Sequence, residues 1–284
     1  MRTPCFAMDT HFRTSLGDYS WDARFGMLAE LGYDGIQILV GEPDLAYAWD
    51  ELARLKELTG TYGVRSVAVH GVLDLAQRAP RHTRFLEVVP ELPPGTRLEV
   101  SLNSSDEADF DPASPAAAAA LQELLDATAG NELQVALYHH VRHSPKVWLH
   151  RVDQAVELVR HIDHPRLGVV FCGWHWYAGD QADLRGRLAD AAPYLQSVNL
   201  SGSSLVVNGD QERYTIETID RGSLDNFAVL GLLRSVGYQG PVGFQGFSIG
   251  GDVYTQLRHN IETLRDMERR LDEHPEWAEI RWAH

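Results

Sequence analysis

The chain has 284 residues, 44% of them hydrophobic, and its 40 acidic against 25 basic residues give a formal net charge of −15. That length carries one large domain with a substantial core, and the acidic balance opposes nucleic-acid backbones and anionic membranes as partners. Two cysteines far apart, Cys5 and Cys172, form no redox or metal motif; no apolar run is long enough to span a bilayer, and a strand begins too near residue 1 for a signal peptide, so the expectation is a cytoplasmic protein.

Cys5 to Met8 is a short apolar run that ends in Asp9 and His11. Trp21 to Leu31 follows with helical spacing and Gly32 as a stop. Gly35 to Val40 reads as a second strand with Gln37 inside it, Asp44 to Tyr62 as a helix, and Val64 to Val69 as a third strand ending at His70. Arg81 to Val89 is a weaker helix, cut short by prolines, and Arg97 to Leu102 is a fourth strand ending near Asn103. Pro115 to Ala129 is Ala-rich and helical by propensity. Glu132 to Tyr138 is strand five, ending in Tyr138-His139-His140. Ser144 as N-cap and Pro145 at the first position predict a helix from Pro145 to Ile162.

Leu167 to Phe171 is apolar without alternation, as a strand covered on both faces reads. It ends abruptly in chemistry-bearing side chains: Cys172, Trp174, His175, Trp176 and Tyr177. Asp180 to Ala192 is a helix and Leu195 to Leu200 a seventh strand. The long polar insert Ser201 to Gly222 holds Leu205-Val206-Val207 and an Asn208-Gly209 turn, and reads as a hairpin lid. Leu224 to Val236 is a helix, Pro241 to Gln245 strand eight, Gly251 to Leu271 the last helix, and His274 to His284 a tail carrying Trp277 and Trp282.

Strand and helix alternate eight times, which predicts a parallel sheet closed into a single (β/α)8 barrel over residues 1–273, with a hairpin insert after strand seven and a C-terminal helical tail over 274–284. The tail tryptophans need cover from the barrel or from a second copy, which points to a homo-oligomer. In such a barrel the carboxyl ends of the strands face the active site.

Four stretches carry a resemblance. They are Leu28-Ala29-Glu30-Leu31-Gly32-Tyr33-Asp34-Gly35-Ile36, Tyr62-Gly63-Val64, Gly222-Ser223-Leu224-Asp225 and Gly237-Tyr238-Gln239-Gly240. With them the chain resembles, across nearly its whole length, the xylose-isomerase-like TIM barrel family of sugar and sugar-phosphate isomerases, epimerases and endonuclease IV enzymes. The resemblance implies a divalent metal held by Glu on strand five, Asp on strand six, His on strand seven and Glu on strand eight. Those positions here are Tyr138, Cys172, Asn199 and Gln245, and Gln37 stands where some members carry another Glu on strand two. The family's Asp-x-x-His becomes Cys172-x-x-His175. Hard cations want charged oxygens, so neither metal nor cofactor is expected.

What remains is a mouth lined by histidine and aromatic residues. His140 and His175 are the candidate acid/base pair with Tyr138 beside them, or polar lining, or with Cys172 a soft-metal set. Asp9, His11, Gln37, His70, Asn103, Cys172, Trp174, Trp176, Asn199, Arg213 and Gln245 are the candidate substrate-binding groups. The aromatics offer faces for a sugar ring or close the barrel top, and Cys172 serves as a packed hydrophobe or a thiolate. Two functions follow as expectations. The first is an isomerase- or epimerase-like enzyme, or a lyase, acting on a sugar, polyol or hydroxy-carbonyl compound by metal-independent or atypical acid/base chemistry. The second is a non-catalytic carbohydrate-binding or partner subunit.

Overall fold

A computed structural model describes residues 2–40, 51–77, 80–131, 133–209, 211–247 and 249–280. Eight parallel strands close into one barrel: β1 (Cys5–Met8), β2 (Gly35–Leu39), β3 (Arg65–Asp74), β4 (Arg97–Asn103), β5 (Gln134–Tyr138), β6 (Leu167–Cys172), β7 (Leu195–Leu200) and β8 (Val242–Phe244). Each pairs with its sequence neighbours, and β1 closes the ring by pairing with both β2 and β8. This is a single (β/α)8 TIM barrel.

The helices outside it are α1 (Trp21–Leu31), α2 (Leu55–Tyr62), α3 (Pro80–Val88), α4 (Pro115–Ala127), α5 (Val152–Ile162), α6 (Gly173–Gly179), α7 (Leu184–Ala191), α8 (Asn226–Ser235) and α9 (Val253–Glu273). Their ends follow local chemistry. The Ser20 hydroxyl accepts from Ala23 N at 3.3 Å to start α1, and Gly32 at φ +77° stops it. Ser114 does the same for α4, with Pro115 next. A continuous apolar layer between strands and helices, including Leu28, Ile36, Leu98, Leu124, Val169 and Leu257, forms the main core.

Several elements differ from expectation: α6 (Gly173–Gly179) stands where no helix was expected, and the helix expected from Asp180 begins at Leu184. The helix expected from Pro145 begins only at Val152. Ser144 still caps locally, accepting from Lys146 N at 3.2 Å, but the chain then runs across the end of β4. Lys146 O accepts from Ser104 N, and Leu102 O accepts from the backbone N–H groups of Trp148 and Leu149. Helix propensity yields there to backbone groups that need partners. Gln154 then opens α5, its side chain accepting from the N–H groups of His150 and Arg151. Strand three runs on past His70 to Asp74. A small hairpin of Arg13–Thr14 and Gly17–Asp18 follows β1, unforeseen because its strands are two residues each.

The expected hairpin in the insert is present, Leu205–Asn208 pairing antiparallel with Gln211–Tyr214. Residues 44–50 of the second expected helix, and Trp282, lie outside the described residues. The tail makes a short turn at Pro275–Ala278, where Ala278 packs so closely on Gly231 of α8 that no β-carbon would fit there. Among the described residues no helix is long and apolar enough to cross a membrane.

Candidate functional site

The barrel lumen is polar because the strands alternate. On β4, Leu98, Val100 and Leu102 join the apolar layer, so Arg97, Glu99 and Ser101 point the other way. On β2 and β7 the same period turns Gln37, Ser197 and Asn199 inward. Deep in the lumen the fully buried Glu99 carboxylate receives Arg97 Nε at 3.0 Å and Nη2 at 2.7 Å, the Ser197 hydroxyl at 3.1 Å, and the Gln37 amide. One carboxylate thus joins β4, β2 and β7. A buried charge needs such matching.

Toward the carboxyl ends of the strands the polarity becomes neutral. Asn199 Nδ2 donates to the Tyr138 hydroxyl at 3.3 Å. That hydroxyl hydrogen-bonds with the Cys172 thiol, and the thiol donates to Gln245 Oε1 at 3.3 Å. Four strands are linked by one chain of uncharged groups, all of them buried. Burial pushes the Cys172 thiol up to about 11 and the Tyr138 phenol well above its usual range, so both keep their protons at pH 7. His70 stacks on the Tyr138 ring at 4.6 Å, its Nε2 lying 3.1 Å from Ser101 Oγ.

Beside Tyr138 stands a group of imidazoles organised by the backbone of one residue. The Val141 carbonyl accepts from Nδ1 of His140 and of His143, each at 3.1 Å, and the Val141 N–H donates to His175 Nδ1 at 3.2 Å. Those bonds fix the tautomers: His140 exposes an unprotonated Nε2, and His175 carries its proton on Nε2. The two rings lie 4.0 Å apart between centroids. His139 Nε2 accepts from Cys172 N at 3.1 Å. Burial lowers His140 to about 4 and His70 and His139 to about 3; it also drives His175 well down, helped by the surrounding imidazoles. All four are neutral at pH 7. Among the described residues, no three His, Cys, Asp or Glu side chains stand close enough together to hold one metal ion.

Residues 25–267 match the family described as xylose isomerase-like TIM barrel. The chain belongs to this family. No curated protein matches it in sequence. Among solved structures it is similar to an L-ribulose 3-epimerase, at 14% identity and TM-score 0.73 with all of both chains covered. The 3-keto-D-glucoside 4-epimerase of E. coli follows at 18% and 0.67, with 93% of this chain and 100% of that one covered. A xylose isomerase-like TIM barrel/4-hydroxyphenylpyruvate dioxygenase fusion protein matches at 18% and 0.72; it covers this whole chain, which spans only 46% of the fusion. At such identities the likeness is one of fold.

In this xylose isomerase-like barrel the site is covered. The short helix α6, which carries His175, is tied to the insert by Trp174 Nε1 donating to Thr215 O at 2.8 Å. Gln181 donates to the Tyr214 hydroxyl at 3.1 Å, and Tyr177 meets the Tyr214 ring edge-on at 5.4 Å. Trp174 also packs on the inner cluster of Ala136, Tyr138, Val170 and Cys172. A groove of about 560 Å³ lies instead on the outer face, between α8 and the tail, away from this chemistry.

The fold therefore gathers Tyr138, His140, His175, His70, Cys172, Trp174, Asn199 and Gln245 about one centre, with Gln37 on the lumen wall. The others stand apart from that network. Asp9 lies 3.5 Å from Arg13 and 3.6 Å from Arg24. His11, buried at the end of β1, reaches toward the Phe244 carbonyl and lies against Gly246. Asn103 bridges to Val147 through its backbone. Trp176 donates to Ala182 O and packs on the outer apolar layer, and Arg213 sits on the hairpin opposite Val206. Glu99, Arg97, Ser101 and Ser197 escaped the sequence reading. Their signal was the alternation Arg-Leu-Glu-Val-Ser-Leu, apolar outward and polar inward.

Proposed function

We propose that this barrel acts on a sugar, polyol or related hydroxy-carbonyl compound at the carboxyl ends of its strands, as an isomerase- or epimerase-like enzyme that uses imidazole groups. The observation that carries this reading is the neutral chain Asn199–Tyr138–Cys172–Gln245 with neutral His140 and His175 beside it. The family, and neighbours named as sugar epimerases, support the substrate class.

The four donors do not fit a hard divalent cation. Two are amides, and the phenol and thiol hold their protons. Nor can Gln245 take up and return a proton as a carboxylate would. The chemistry passes to the imidazoles. His140 Nε2, unprotonated, takes the proton from the carbon beside the ligand carbonyl. His175 Nε2–H donates a hydrogen bond to the oxygen that gains charge as this happens. The His140 imidazolium, a strong acid in this environment, then delivers the proton to the neighbouring carbon, the former carbonyl carbon, while the hydroxyl proton passes from the one oxygen to the other; the carbonyl has moved by one position and the enzyme ends as it began. Tyr138, Asn199 and Gln245 orient hydroxyls.

The test is turnover of a keto-sugar and polyol panel with and without chelator. Chelator-insensitive conversion, lost in the His140→Ala/His175→Ala double variant, is expected; full activity of that variant would sink the assignment. Activity abolished by chelator and restored by Mn²⁺ would remove the metal-free claim. A second reading, a non-catalytic carbohydrate-binding or partner subunit, is favoured by one observation: an imidazole at about 4 is a weak base. Stabilisation by a sugar without turnover would select it.

A further inference from the structure

The groups that the lumen leaves without partners determine what a ligand must bring. Ser101 has one hydroxyl hydrogen, and it goes to the Tyr138 carbonyl at 3.1 Å. Its oxygen therefore accepts from His70 Nε2, which places the proton of the neutral ring on Nε2. His70 Nδ1 is left as a bare lone pair, buried and without a partner. Asn199 commits its Nδ2 to Tyr138, and its Oδ1 is likewise buried and unpartnered. Gln37 gives its Nε2 to Glu99 and leaves Oε1 in the same condition. The three residues are 6%, 0% and 1% exposed. All three unmet atoms are acceptors.

A buried acceptor without a donor is costly, so the complementary ligand carries hydrogens to give. Hydroxyl groups do. A phosphate or carboxylate brings only lone pairs and negative charge, and would face both the three acceptors and the Glu99 carboxylate. The cations nearby each face a carboxylate, although Arg13 Nε and Nη2 make no hydrogen bond. Arg97 is held by Glu99, and Arg13 and Arg24 lie against Asp9, with Arg24 also 3.9 Å from Asp18.

We infer that His70, Asn199 and Gln37 form an acceptor set that selects a neutral, hydroxyl-rich ligand and rejects phosphorylated or carboxylated forms of the same skeleton. This rests on the sugar-like reading above and narrows it.

The experiment uses the full chain and titration calorimetry with thermal unfolding. The neutral probes are D-fructose, D-ribulose and myo-inositol; the anionic ones are D-fructose 6-phosphate, D-ribulose 5-phosphate and D-gluconate. Binding confined to neutral probes, with anionic forms at least about tenfold weaker, is expected. His70→Phe keeps a ring against Tyr138 and removes the acceptor, so it weakens the neutral probe by about tenfold, the scale of one buried hydrogen bond. His70→Gln keeps an acceptor and restores binding. Melting without ligand checks that both variants fold. Equal or tighter binding of a phosphorylated probe, or wild-type binding by His70→Phe, overturns the inference while the sugar-like reading stands. No response to any of the six overturns both.

Discussion

Strand β4 has two faces, and they are held by different physics. Outward, Leu98, Val100 and Leu102 join the apolar layer beneath the helices. Inward, Arg97, Glu99 and Ser101 meet only polar partners. The outer face is stabilised by area removed from water, which does not depend on pH or partner identity. The inner face depends on every donor finding its acceptor and on every imidazole staying neutral. One strand thus supplies both part of the barrel's apolar core and part of its polar lumen.

Acid should separate the two faces most strongly. His11 and His140 are lowered to about 4, His70 and His139 to about 3, all mainly by burial. Their folded values lie below the unfolded value near 6.5, so below that pH the unfolded chain binds more protons. Stability is full above about 6.5 and falls as pH drops toward 4, by about 1.4 kcal/mol per unit for each such group. Four together can exhaust a margin of about 5–15 kcal/mol. Denaturant midpoints between pH 7.5 and 4.5 measure this; a flat profile would mean that the imidazoles are not buried neutral.

Breaking the deep ion pair comes next. Glu99→Ala leaves Arg97 buried without its partner and should cost about 3–5 kcal/mol, whereas the double change Arg97→Met/Glu99→Leu should recover most of it. Equal losses in the two would argue against pairing. On the outer face, Leu98→Ala should cost about 2–5 kcal/mol by leaving a cavity, with the same penalty at pH 7.5 and pH 5.5. A penalty that changes with pH would blur the contrast. Smallest is Tyr138→Phe, which removes one hydroxyl from the neutral chain. About 1 kcal/mol is expected in urea unfolding, and a loss several times larger would show the chain acting as one cooperative unit.

Most of the barrel was legible because its signals are local. Apolar runs, Gly32 after Leu31, and Ser114-Pro115 each state an element boundary without reference to the rest of the chain. The Ser144-Pro145 start failed for a non-local reason. Its signature is real, but the backbone at Leu102 and Ser104 needed partners more than the helix needed another turn. The site was half legible. Tyr138, Cys172, Asn199, Gln245 and His175 stand at strand ends or just beyond, where a barrel keeps its chemistry. Glu99 stands mid-strand, where a glutamate reads as an outward charge until alternation shows that the apolar side is the outer one. That Val141 would organise three imidazoles was invisible, since only its backbone takes part.

The tie between Trp174 and the Thr215 carbonyl has a kinetic meaning. Tyr138, Cys172 and Asn199 are at most 1% exposed, so on the proposed function a ligand would reach them only after α6 and the insert part. Association would then wait on a motion of the protein. The observed binding rate should rise with ligand concentration and level off at the opening rate, while Trp174→Phe, which deletes the tether but keeps an aromatic ring, should raise that plateau.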